Sequence, residues 1–112
     1  MSKENLIKLS DYVAEFISEL NVKYVFVISG GASLHLIHSI ADNKNLSFIC
    51  THHEQAAAMA ADGYSRTTGE IGVAVTTSGP GATNLITGIC CSYYDSVPLL
   101  LITGQVSTFR MT

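Results

Sequence analysis

Thr51-His52-His53-Glu54-Gln55-Ala56-Ala57-Ala58-Met59-Ala60-Ala61-Asp62-Gly63-Tyr64-Ser65-Arg66 follows a short apolar run, Phe48-Ile49-Cys50. The run has strand length, and the alanine-rich block after it has high helix propensity. Their junction therefore reads as a strand-to-helix turn with Glu54 at its mouth. Alanines at 56, 57, 58, 60 and 61 let such a helix approach a neighbouring backbone closely, which puts the Glu54 carboxylate on a tightly buried element. Read alone, the residue is more simply a negative charge on a helix's first turn, and it takes two further stretches to point past that.

The same alternation continues on both sides. Upstream, Ser10 is a suitable cap for a helix with Tyr12, Val13, Phe16, Ile17 and Leu20 at helical spacing, and Asn21 suits its stop. Tyr24 to Ile28 is an uninterrupted apolar run, the pattern of a parallel strand buried on both faces. Ser29-Gly30-Gly31 breaks it, and a helix from Ala32 to Ala41 turns Leu34, Ile37 and Ile40 inward. Downstream, Gly69 closes the Glu54 helix, Gly72 to Thr76 is a third strand after Ser47 to Cys50, and Thr77-Ser78-Gly79-Pro80-Gly81 turns into a helix from Ala82 to Tyr94. Val97 to Thr103 is a fourth strand, with Pro98 near its start where a missing N–H is tolerated. Alternating strands and helices imply right-handed crossovers and a three-layer α/β/α domain with a parallel sheet. Gly104 to Thr112 carries no clear pattern. The chain ends soon after an apolar strand with no helix to cover it, as a domain cut short after its fourth strand would.

Composition narrows the function. The 112 residues suit one domain, and only 13% are charged against roughly 25% in an average soluble domain. So little charge implies surface protected by other chains or by further parts of its own. A net charge of −3 with scattered Lys and Arg gives no footing for nucleic acid. Cys50, Cys90 and Cys91 lack metal or disulfide spacing and read as reduced core thiols of a cytoplasmic protein. Met1 to Asn5 leads into no signal-type segment, and no apolar run reaches the ~20 residues of a membrane span.

Two glycine turns share the placement of Glu54. Gly79 and Gly81 in Ser78-Gly79-Pro80-Gly81-Ala82-Thr83-Asn84 let bare backbone groups approach a phosphate or a flat heterocycle. Asn84 stands where a dinucleotide fingerprint needs its third glycine, and no G-K-[ST] follows. The turn at Ser29 to Ser33 is weaker alone. All three follow the carboxyl end of a parallel strand, the edge at which open α/β sheets bind ligands.

His53-Glu54-Gln55, Ala61-Asp62-Gly63-Tyr64 with Arg66, Thr77 to Asn84, Asp95-Ser96-Val97-Pro98 and Ile102-Thr103-Gly104-Gln105-Val106 together resemble the amino-terminal pyrimidine-binding domain of thiamine-diphosphate enzymes of the acetolactate synthase type. The resemblance covers nearly the whole chain from Leu9. It implies a six-stranded parallel sheet of order 2-1-3-4-6-5, of which this chain holds the first four strands. It makes Glu54 the catalytic glutamate, hydrogen-bonded to the pyrimidine nitrogen N1′ and favouring the imino tautomer that removes the thiazolium C2 proton. That role needs a carboxyl pKa raised by burial, with a partner subunit closing over the site. Gly30, Gly31, Pro80 and Asn84 match cofactor-binding positions near the pyrimidine or the facing subunit, and Gln105 one close to the active site.

Ser29 and Ala56 depart from the Pro and Gly common in the family. The motif for diphosphate and Mg²⁺, a G-D-G with a later Asn, has no counterpart, so Mg²⁺ is assigned to a missing domain and this chain alone is expected to be inactive. FAD accompanies the cofactor in some members. Two functions fit: the pyrimidine half of a lyase or carboligase acting on 2-oxo acids within a homo-oligomer, dimer or tetramer, and a non-catalytic oligomerising or regulatory module of the same fold. No metal site is assigned: His35 and His38 lack a completing ligand. His52 and His53 serve either proton transfer or a structural hydrogen bond, and Tyr93-Tyr94 reads as packing.

Overall fold

A computed structural model describes residues 6–111. Met1 to Asn5, read above as no signal segment, and Thr112 lie outside them. The elements run α1 (Leu9–Glu19), β1 (Tyr24–Val27), α2 (Leu34–Asp42), β2 (Ser47–Cys50), α3 (Glu54–Thr68), β3 (Gly72–Thr76), α4 (Pro80–Thr83), α5 (Ile86–Tyr94) and β4 (Leu99–Thr103), with single 3₁₀ turns at Gly31–Ser33 and Thr108–Arg110. All strand pairs are parallel, in the order β2-β1-β3-β4. That is the order of the first four strands the resemblance implies.

Two side-chain layers follow from the period of two along β1 and β3. Val25, Val27, Val73 and Val75 meet Ala14, Ile17, Ile40 and Leu46 in the larger core, beneath α1 and α2. Phe26 and Ala74 point the other way, against Ala57 and Ala61 of α3. Burying each of the larger aliphatics contributes about 1.5–3 kcal/mol. On the α3 side, β3 offers only small groups. A Cβ at Gly72 would overlap the Ala61 carbonyl, so glycine there is what lets helix and sheet approach so closely. A Cβ at Gly88 of α5 would likewise overlap the Ala58 methyl. The alanines therefore seat α3 between β3 and α5.

Several local expectations change. Lys8, not Ser10, precedes α1, and it makes no side-chain cap. Ser10 instead faces α2, 2.8 Å from the Ser39 hydroxyl, which donates to Asp11 Oδ1 at 2.6 Å. Tyr12, Phe16 and Leu34 are exposed. Val13, Ala14 and Ile17 form the inward stripe of α1, and the outer two aromatics lie too far round the helix to share it. Asn21 ends α1 as expected, in the left-handed region at φ 59°. The helix expected over Ala82 to Tyr94 is two helices, interrupted at Asn84–Leu85. The fourth strand begins at Leu99, although the Pro98 carbonyl still accepts the Gly72 N–H at 3.1 Å. The three cysteines are free but exposed, not core thiols. Cys50 lies on the edge strand β2, and Cys90 and Cys91 lie on the outer face of α5. No helix among the described residues is long and apolar enough to cross a membrane.

Candidate active site

Glu54 owes its position to the turn before it. Thr51 Oγ1 donates to the His53 carbonyl at 3.0 Å, and His53 Nδ1 accepts the Gln55 N–H at 3.1 Å, which caps α3. His53 thus takes the structural role of the two left open for it. The helix then starts at Glu54, at the carboxyl end of β2.

The opposing wall comes from the β3–α4 turn. Gly79 has φ 62°, which favours glycine, and it delivers Pro80 into the first turn of α4, where a missing N–H is harmless. The buried Thr76 hydroxyl donates to the Gly81 carbonyl at 2.9 Å and fixes the turn. Asn84 donates its backbone N–H to the Pro80 carbonyl at 2.9 Å, and the Leu85 N–H then closes a tighter, three-residue turn on the Ala82 carbonyl at 3.1 Å. Helix α4 stops there. The interruption aims the Asn84 carboxamide at Glu54, with Nδ2 donating to Oε2 at 3.0 Å. Oε1 faces Gly81, where even a Cβ would stand only 3.5 Å away.

The electrostatics correct one expectation. Asn84's hydrogen bond holds the Glu54 carboxyl below its usual value, helped by the residue's own backbone N–H and by nearby His53. Burial pushes the other way and loses. In the chain alone the carboxylate is only half-buried and is met by aimed donors, so the anion is favoured.

Gly30 packs against Thr77, whose side chain a Cβ would strike. This joins the first glycine turn to the second across the β1–β3 junction. Gly31 has open space where a side chain would be. With Gln105 it lines a cleft of about 400 Å³ at the carboxyl ends of the strands. The expected residues thus fall in two places: Glu54, Pro80 and Asn84 in one corner, Gly31 and Gln105 in the cleft, with the Gly30–Thr77 contact at the seam. Sequence reasoning read Thr76 only as a strand end and Thr77 only as part of the turn, and assigned neither a place in the site. Their signal was a run of hydroxyl-bearing residues, Thr76-Thr77-Ser78, at the strand end leading into Gly79.

Asp62, Arg66 and Asp95 serve structure. Arg66 pairs with Asp62 and with Asp95 (2.6 Å), and Ser92 donates to Asp62 at 2.6 Å, which ties α3 to the end of α5. Arg66 and then Ser92 hold the Asp62 carboxyl low, and the two aspartates raise the Arg66 pKa further. Tyr64 stacks edge-on against Tyr24 and Phe26, and its hydroxyl accepts the Lys23 N–H at 3.2 Å. His38 lies 3.3 Å from Asp42, and among the described residues no three His, Cys, Asp or Glu side chains gather as a metal site would require.

A family model describing the thiamine pyrophosphate enzyme N-terminal TPP binding domain matches residues 7–110. The chain belongs to this family. Similar curated proteins include the acetolactate synthase large subunit of Lactococcus lactis subsp. lactis, 47% identical over 97 residues, which are 87% of this chain and 17% of that protein. The probable acetolactate synthase large subunit of Methanocaldococcus jannaschii is 55% identical over 87 residues, 78% of this chain and 15% of the relative. Acetolactate synthase isozyme 3 large subunit of Escherichia coli is 44% identical over 99 residues, 88% and 17%. The chain therefore spans about a sixth of the length of these relatives. The Glu54 corner suits the family's cofactor: a carboxylate oxygen not taken by Asn84 faces side-chain-free backbone at Gly81.

Proposed function

We propose that the chain is the pyrimidine-binding part of a thiamine-diphosphate-dependent lyase or carboligase acting on 2-oxo acids, of the acetolactate synthase type. The observation that carries this reading is the Glu54–Asn84 pair at the carboxyl edge of the sheet, one oxygen fixed and the other free. In this reading the cofactor, when bound, supplies the carbanion chemistry. Glu54 exchanges a proton with the pyrimidine nitrogen N1′ through Oε1. Asn84 orients the carboxylate, and Gly30, Gly31 and Pro80 shape the backbone around the ring. Gln105 stands in the adjoining cleft, on the substrate side. Closure by a partner subunit would desolvate Glu54 and reverse the balance that favours its anion in the chain alone. The reading includes a homo-oligomer, dimer or tetramer, in the cytoplasm. Mg²⁺ and the diphosphate are held outside these residues, and FAD is admitted as a second cofactor.

The test is Glu54→Gln in the full-length protein. An amide cannot exchange the proton, so C2–H exchange of bound thiamine diphosphate should fall by about 10²-fold or more while cofactor binding persists. Exchange at the wild-type rate would remove Glu54 from the role. A wild type that exchanges C2–H no faster than free thiamine diphosphate would favour the competing reading, a non-catalytic module of the same fold.

A further inference from the structure

We propose that the cleft beside the Gly30–Gly31 turn is a carboxylate-binding subsite, with Arg110 as its specificity-determining residue. As a substrate site it rests on the function proposed above. The cleft lies between the Gly31–Ser33 turn, the β3–α4 turn and the segment after β4, and Arg110 and His35 are both on its wall. Its volume of about 400 Å³ is in the range of small-molecule sites.

Its chemistry is one-sided. No carboxylate lines it, while Thr77, Ser78 and Ser107 bring hydroxyls. Gln105 Oε1 is already used, accepting the Val106 N–H at 2.8 Å, which leaves its amide NH₂ to donate. The contrast between the two arginines is sharper still. Arg66 is saturated by Asp62 and Asp95, whereas among the described residues no carboxylate lies within ion-pair distance of Arg110. The Arg110 guanidinium rests instead over the Phe109 ring, 5.3 Å from its centre. A cation held against an aromatic face, beside a cleft rich in donors, is a receptor in want of an anion. A planar carboxylate matches the guanidinium fork and binds it through two parallel hydrogen bonds.

Cofactor-free full-length protein titrated with pyruvate, with its neutral isostere pyruvamide and with inorganic phosphate tests the assignment by ligand-observed NMR. Pyruvate should bind more tightly than pyruvamide or phosphate. Arg110→Met should weaken pyruvate by about tenfold or more and leave pyruvamide unchanged, with Arg110→Lys in between. Pyruvate binding unaffected by Arg110→Met, equal affinity for pyruvate and pyruvamide, or preference for phosphate would each overturn it. Titration with thiamine diphosphate and Mg²⁺ separates the two proposals. Failure of the wild type to bind that cofactor, with the Arg110-dependent discrimination intact, sinks the proposed function and upholds the subsite.

Discussion

A single carboxamide is the strongest of the influences that favour the Glu54 anion. Because Asn84 favours the anion, folding favours it too, and the folded pKa lies below the unfolded one. The sign follows: this contribution to stability is present above the unfolded pKa and is lost as pH falls through the folded value. Asn84→Ala should therefore raise the Glu54 pKa in the chain alone, a shift that side-chain carboxyl NMR reads directly. An unchanged titration would mean that the Nδ2–Oε2 bond is not what holds the anion. Glu54 itself was legible in the sequence, because a lone acid before an alanine block at a strand end has few neighbours to confuse it. The direction of its pKa was not, since that depends on a partner from thirty residues away and on an opening that composition does not report.

At the scale of elements, strand positions and the turn at Gly79 could be read from apolar runs and glycine placement. The interruption of the fourth helical segment could not: Asn84 is only a weak helix former, not a breaker, and the switch there to an i→i−3 bond from Leu85 to Ala82 leaves no mark in the sequence. Inward faces were blurred for the same reason. Tyr12 and Phe16 are apolar enough to be counted with the core, and only packing against α2 and the sheet decides which stripe turns in. The α3–α5 contact makes a firm prediction. Gly88→Ala would press a methyl into Ala58, and should destabilise the fold by about 1–3 kcal/mol in urea unfolding. A change within experimental error would show that α5 can shift without penalty.

For the whole molecule, the parallel sheet was legible in the alternation of strands and helices, and its strand order only through the family resemblance. Exposure was not. Ile86, Ile89, Tyr93 and Tyr94 leave an apolar outer face on α5, and β4 presents an open sheet edge. The described chain should self-associate, and sedimentation showing only monomer at high micromolar concentration would count against both surfaces. The strand order also has a kinetic consequence. Val25 pairs with Phe48, and Val73 with Leu100, but joining Val25 to Val73 closes a loop about twice as long, an added entropy of roughly 0.6 kcal/mol. The chain should then condense as two halves, one ending with β2 and one beginning with β3, with the β1–β3 seam zipped last. In pulsed hydrogen exchange during refolding, the Ile28 amide, bonded to Val75, should gain protection after that of Ser47, bonded to Lys23, despite its more central place. Gly30 and Thr77 meet across that seam, so the ligand crevice exists only once the two halves have found each other.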